Sequence, residues 1–384
     1  MEQTSSLPSD SALQALEDRL PKYDTGPPSV KLKDVLTQDE LDEKNKLLDE
    51  LESRLLPSIQ EQLGPLVASL GLRSDSKRNF GLTYNILSTL EETCWNTILC
   101  IESVSGDMKM ISTHDYHFER CKFYRCCELM FIPSNLSDHL HRLFMHSIEL
   151  IKASKVSRNY AETTECQNLE RRILRDAAEF SDYTRQTIKW LQGSDLYIIQ
   201  EEWREKEDQL DVLLQVFTDL THPTSVRQRN NTSALRKHVN ELAELTIPLV
   251  KLTRIFSKKV SNTATTKLPF TLDTNLNSRT LCTLHELPES IERYFYQLVK
   301  AFRDAYTTNE LVDRQIVIGY PLRHISHILE TTLVLLALYL IPLPTTDTNH
   351  DSPESIYKAW FSAWQEAWHG AFNNISCALQ TFEG

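Results

Sequence analysis

Nine glycines in 384 residues constrain this chain more than any other feature. They stand alone, at Gly26, Gly64, Gly71, Gly81, Gly106, Gly193, Gly319, Gly370 and Gly384. Folds built on α/β sheets bring backbone close to phosphates and cofactors through glycine-rich loops, because only glycine tolerates the close approach and left-handed turns. No such loop exists here. Long segments instead repeat apolar residues at three- and four-residue steps, the signature of helices with one buried stripe. Period-two alternation is not sustained anywhere, so strands are not expected. The expected fold is all-α: a two-lobed antiparallel bundle of about ten or eleven helices.

The helices can be placed from their caps and breaks. Residues 1–36 hold a weak apolar segment (Leu13, Leu16, Leu20) followed by Pro21, Gly26, Pro27 and Pro28, and read as a flexible arm. Thr37 with Glu40 three residues on forms a capping box. The helix it opens carries Leu41, Leu48, Leu51 and Leu55 and ends near Gly71, with kinks expected at Pro57 and Pro65. Further helices are expected over about 77–105, 114–131, 134 onward, 164–192 and 194–220. A segment over 232–260 should be interrupted by Pro248. Residues 261–284, rich in Thr, Asn and Ser, read as an exposed loop. Helices over 286–306, 309–341 (broken at Gly319 and Pro321) and 353–382 complete the chain. A soft boundary near Gly193 divides a bundle over 37–192 from one over 193–384.

Charge and cysteine usage narrow the function classes. A net charge of −12 disfavours a general nucleic-acid binder, which needs an excess of Lys and Arg on its contact face. The eight cysteines do not space like a disulfide framework and read as buried free thiols. The longest apolar run, Leu333 to Ile341, is too short for a membrane span of about 20 residues and reads as a buried core helix. The first ten residues are polar and lack a signal-peptide pattern, so a cytoplasmic or nuclear protein is expected unless a leader ahead of Met1 has been removed.

Three features could carry chemistry or binding. His114, His117 and Cys121 would share one face of a helix over 114–131, a weak zinc candidate because imidazole and thiolate are zinc ligands. The basic helix end with Lys251, Arg254, Lys258 and Lys259 could dock an acidic partner or an anionic membrane. Cations there also complement the helix dipole with no partner at all. Trp360, Trp364 and Trp368 recur every fourth residue, forming either a core stripe or an exposed hot spot. Serine-elbow, P-loop, kinase and paired Glu-x-x-His signatures are not found.

Three segments carry a resemblance. They are Arg54-Leu55-Leu56-Pro57-Ser58-Ile59, then Ile247-Pro248 through Ile255-Phe256, then Leu338 to Pro342 followed by Tyr357 to Trp364. Together with Gly193 through Trp203, they resemble an uncharacterised all-helical family of rust-fungal proteins, over roughly residues 40–384. A remoter likeness, of architecture alone, is to the cyclin-D-interacting helical proteins. Neither implies catalytic positions or cofactors. The expectation is a non-catalytic interaction or scaffold module that binds another protein. The alternatives are a secreted, host-directed effector of a plant pathogen and a helical metal-dependent enzyme on the His114 face.

Overall fold

The computed structural model describes residues 36–73, 77–106, 114–156, 164–221, 233–261, 270–273, 276–311, 313, 315–342 and 353–381. The fold is all-α, in two compact units, Met1–Gly193 and Ser194–Gly384. All of the proposed N-terminal arm but Leu36 lies outside the described residues.

In the first unit, α1 (Gln38–Glu50) starts at the Thr37–Glu40 capping box: the Thr37 hydroxyl accepts from the Glu40 N–H, and the Glu40 carboxylate accepts from the Thr37 N–H. A π turn (Leu51–Leu55) joins it to α2 (Leu56–Ser69). Pro57 explains the wide turn. Its ring has no N–H to give and crowds the preceding turn, so the Leu56 N–H reaches back five residues to the Leu51 carbonyl. Pro65 is carried inside α2. Leu48, Leu51, Leu55, Leu56, Ile59, Leu63 and Leu66 make one buried stripe along this run. Helix α3 (Phe80–Ser105) is capped by Asn79, whose Oδ1 accepts from the Leu82 N–H at 3.0 Å. At its far end the buried Lys44 ammonium of α1 donates to the Ser103 carbonyl at 3.2 Å and to the Val104 carbonyl. A cation is thereby held on the orphan carbonyls of a helix C-terminus, where the dipole favours it.

The single helix expected over 114–131 is instead a 3₁₀ turn (Tyr116–Cys121) followed by the short α4 (Phe123–Leu129). Glu119, at φ 49°, breaks the path with a left-handed backbone. The buried Asp115 carboxylate accepts the Phe123 N–H at 2.9 Å and ties the two pieces together. Then α5 (Ile132–Val156) packs on α6 (Thr164–Gln192), with His146 of one on the Asp176 carboxylate of the other at 2.5 Å.

The second unit opens with α7 (Asp195–Glu205), capped by the Ser194 hydroxyl, and α8 (Glu207–Thr221); the continuous helix expected here breaks at Lys206. Helix α9 (Ala234–Val260) runs through Pro248 without interruption, contrary to expectation. Of the expected loop over 261–284, residues 262–269 and 274–275 lie outside the described residues; the rest contains β1 (Phe270–Leu272) and the start of α10 (Ser278–Thr308), which Asn277 caps by accepting from the Thr280 N–H at 3.0 Å. A π turn (Gln315–Gly319) leads into α11 (Tyr320–Tyr339), then β2 (Leu340–Pro342) and α12 (Pro353–Thr381). The strands pair antiparallel, Thr271 opposite Ile341, so the expectation of no strands fails over three residues on each side. The core of this unit is aromatic: Trp203, Phe256, Trp364 and Trp368 in one cluster, with Phe217, Phe295 and Phe302 in edge contact elsewhere.

Candidate interaction surface

The metal candidate does not assemble. His114 and His117 are exposed, Cys121 is fully buried, and the break at Glu119 removes the common helix face on which the spacing argument rested. Among the described residues no three His, Cys, Asp or Glu side chains gather as a metal site. Burial also pushes the thiols up, Cys100 and Cys121 to about 11 and Cys126 to about 12, so these sulfurs stay protonated and poorly nucleophilic at neutral pH.

The seven interaction candidates fare unequally. Trp364 and Trp368 are core residues, stacked at 5.6 Å between centroids, and their indole N–H groups donate to the Leu252 carbonyl and the Ser326 hydroxyl. They are no binding stripe, because the exposed side of α12 is the opposite one. Trp360 is half-buried under the Lys259 ammonium, 5.5 Å from the ring centroid. Arg254 makes a two-pronged pair with Asp211. Only Lys251 and Lys258 of this set project into solvent. Two of the four cations of the basic segment are thus engaged in holding α9 to α8 and α12.

A different surface stands out, around the π turn that enters α11. Ile316 is 65% exposed, and Val317 and Tyr320 beside it are 38% and 47% exposed. Tyr320 belongs to an aromatic triangle with His324 and with Tyr294 of α10, at centroid separations of 4.0, 5.0 and 6.3 Å; the Tyr294 and His324 rings are stacked. Burial and the adjoining Tyr320 hydroxyl push the Tyr294 phenol above its ordinary value. Arg293 lies over the Tyr294 ring and donates to the Ser290 hydroxyl. Arg323 reaches back across the turn to the Gln315 carbonyl at 3.5 Å. Gly319 makes room for that reach, since a Cβ there would sit 2.8 Å from Gln315 Oε1 and 3.1 Å from the Arg323 guanidinium.

The backbone leading to this surface is also unusual. Asn309 and Asp313 both have positive φ, and the π turn follows immediately. Wide turns and left-handed residues cost conformational energy and concentrate at functional positions. Beyond the turn, Tyr320, His324, His327, Thr331, Val334 and Leu338 recur at three- and four-residue steps along α11, an uncharged row edged by Arg323 and Glu330. Val334 and Leu338 are among its most exposed members. This corrects the reading of Leu333 to Ile341 as a buried helix: the run spans a helix end and a strand, and only its Leu336 side is buried.

The fold and surface define a helical, two-unit chain with an aromatic, arginine-flanked patch. Residues 44–192 match the family described as a domain of unknown function (DUF8723), and residues 194–377 match a second, DUF8721. The two matches meet where the two compact units meet. No curated protein and no solved structure matches the chain. No helix among the described residues is long and apolar enough to cross a membrane.

Proposed function

We propose that this chain is a non-catalytic protein-binding module, and that the patch around Ile316, Val317, Tyr320 and Tyr294 is its contact surface. The observation that carries the reading is composition combined with exposure. Tyrosine and arginine, with few lysines and carboxylates among them, are what the energetic centres of protein interfaces are enriched in. The tyrosines and arginines that surround the exposed Ile316, two of each from α10 and α11, fit that description.

The test is capture from native cells by the full chain and by the double variant Ile316→Ser, Tyr320→Ala, both first checked for equal melting temperature. Both side chains are exposed, so the fold should tolerate the change within about 1 kcal/mol. A protein retained by the parent and lost by the variant supports the reading. Identical retention by the two chains removes this surface from consideration.

A further inference from the structure

We propose that this surface is a homodimer interface, in which the outward row of α11 lies antiparallel on the same row of a second copy, about a two-fold axis near His327; the proposal rests on the binding reading above. Two patterns along the chain share that midpoint. The exposed apolar side chains form two groups, Ile316, Val317 and Tyr320 before it and Val334 and Leu338 after it, and the groups lie about evenly on either side of His327. The charges edging the row, Arg323 and Glu330, are opposite in sign and lie equally far from the point between Ser326 and His327. Standing seven residues apart, they share one edge of the helix, and antiparallel copies bring such an edge against itself. Turning α11 on its own copy therefore sets each Arg323 against the other copy's Glu330, and Ile316 and Val317 against Val334 and Leu338. Glu330 is positioned for this: Ser326 and His369 hold it through Oε1, at 3.1 and 3.5 Å, and 45% of its side chain stays exposed.

The neighbouring helix repeats the pattern. Helix α10 runs antiparallel to α11, tied at one end by Tyr294 on Tyr320 and His324 and at the other by Leu272 of β1 opposite Leu340. Equal rise along both helices from Tyr294 puts the exposed Arg293 level with Arg323 and the exposed Glu286 level with Glu330. The same rotation thus brings Arg293 toward Glu286 of the other copy. Like charges also approach, Lys300 toward Arg279 and Glu289 toward its own counterpart, but all three are exposed, where water and salt screen them. A face of one sign would repel its own copy, whereas this one is cationic at one end and acidic at the other. That balance gives no net field to draw a phosphate polymer or a peptide of a single charge. The area fits as well. Val334 and Leu338 are 57% and 68% exposed. At roughly 200 Å² for a fully exposed large side chain, the five apolar residues leave roughly 500 Å² in water. A stable interface takes about 800 Å² from each partner, and the charged edges supply the rest as a polar rim. Two-fold pairing of one surface with itself is the commonest form of protein assembly.

The experiment is the mass of the full chain by light scattering over a concentration series, with each variant first checked for an unchanged melting temperature. The mass should rise from the 44.4 kDa of one chain toward twice that value, with a Kd on the order of micromolar for an interface of this size. Leu338→Asp, at an exposed position, should weaken association at least about tenfold, because a two-fold interface carries every change twice. Arg323→Glu should weaken it about tenfold by setting two like charges against Glu330. Adding Glu330→Arg should restore the parent value, which a loss of fold could not do. Lys251→Ser with Lys258→Ser should leave association unchanged. A mass that stays at one chain up to about 100 μM overturns the proposal. So does a dimer indifferent to Leu338→Asp, or one that the second charge reversal fails to restore. If the chain is monomeric while Ile316→Ser, Tyr320→Ala still loses a captured protein, only the second copy is wrong as occupant; a monomer whose variant retains the same proteins as the parent removes the surface itself.

Discussion

Replacing Trp368 by alanine tests the aromatic core of the second unit. The ring is 1% exposed, stacks on Trp364 at 5.6 Å, and donates its indole N–H to the Ser326 hydroxyl at 3.0 Å. Removing about 150 Å² of buried apolar surface costs roughly 4 kcal/mol at about 25 cal/mol per Å². Loss of the stacked pair adds about 1 kcal/mol, and partial collapse of the cavity returns a similar amount. The polar cost is small, because Ser326 keeps its bond to Glu330 Oε1 at 3.1 Å. A net loss of about 4 kcal/mol lowers the melting temperature of a unit this size by roughly 8–16 °C. Trp368→Phe, which keeps most of the ring volume, should lose roughly 1–2 kcal/mol. Circular dichroism during heating and urea titration would read both, with an unchanged urea slope confirming that stability alone has moved. The comparison is Trp95→Ala on α3, where the ring is 44% exposed and the expected loss is about 1 kcal/mol or less. If Trp368→Ala cost no more than Trp95→Ala, the assignment of the α12 tryptophans to the core would be refuted.

Other consequences can be checked as directly. Lys44→Met keeps the apolar stem but leaves the Ser103 and Val104 carbonyls without their cation, and should cost about 2 kcal/mol in urea unfolding. Thr37→Ala removes the capping box and should cost about 1 kcal/mol, with hydrogen exchange accelerated in the first turn of α1. The buried thiols make stability fall at high pH. Their folded values, about 11 for Cys121 and about 12 for Cys126, lie above the ordinary 9.0. Stability from this source is therefore complete below pH 9 and is lost between about pH 9 and 12, as the unfolded chain ionises first. Cys126→Ala should flatten that alkaline slope; a slope unchanged by the substitution would mean that other groups set it.

Helices with a clean apolar stripe were legible as helices, and one of them to the residue. The span of α6, 164–192, follows from Leu169, Ile173, Ala177 and Phe180 facing one way. What failed were places where tertiary contacts outweigh local pattern. Glu119 takes a left-handed backbone without the glycine that usually marks one. Strands β1 and β2 are three residues each and exist only because distant segments pair. Pro248 stays helical because the tightly buried α9 is held by its neighbours on both sides, and packing outweighs the lost hydrogen bond. The proposed contact surface was illegible for a related reason. Gly319 and Pro321 signalled a break, but Tyr294 stands 26 positions ahead of Tyr320, and only the packing of α10 on α11 brings them together. The basic helix end and the tryptophans drew attention instead, and packing engages most of them.

The π turn at Gln315–Gly319 holds one residue more than an ordinary helical turn. It sets the phase of its own side chains: those it carries are offset by about 100° from where a plain α-helical extension of α11 would place them. A lineage that deleted a single codon here could keep its helices and its hydrophobic interior while turning Ile316 away from the Tyr320 face. Gain or loss of the patch can in this way be separated from gain or loss of the fold.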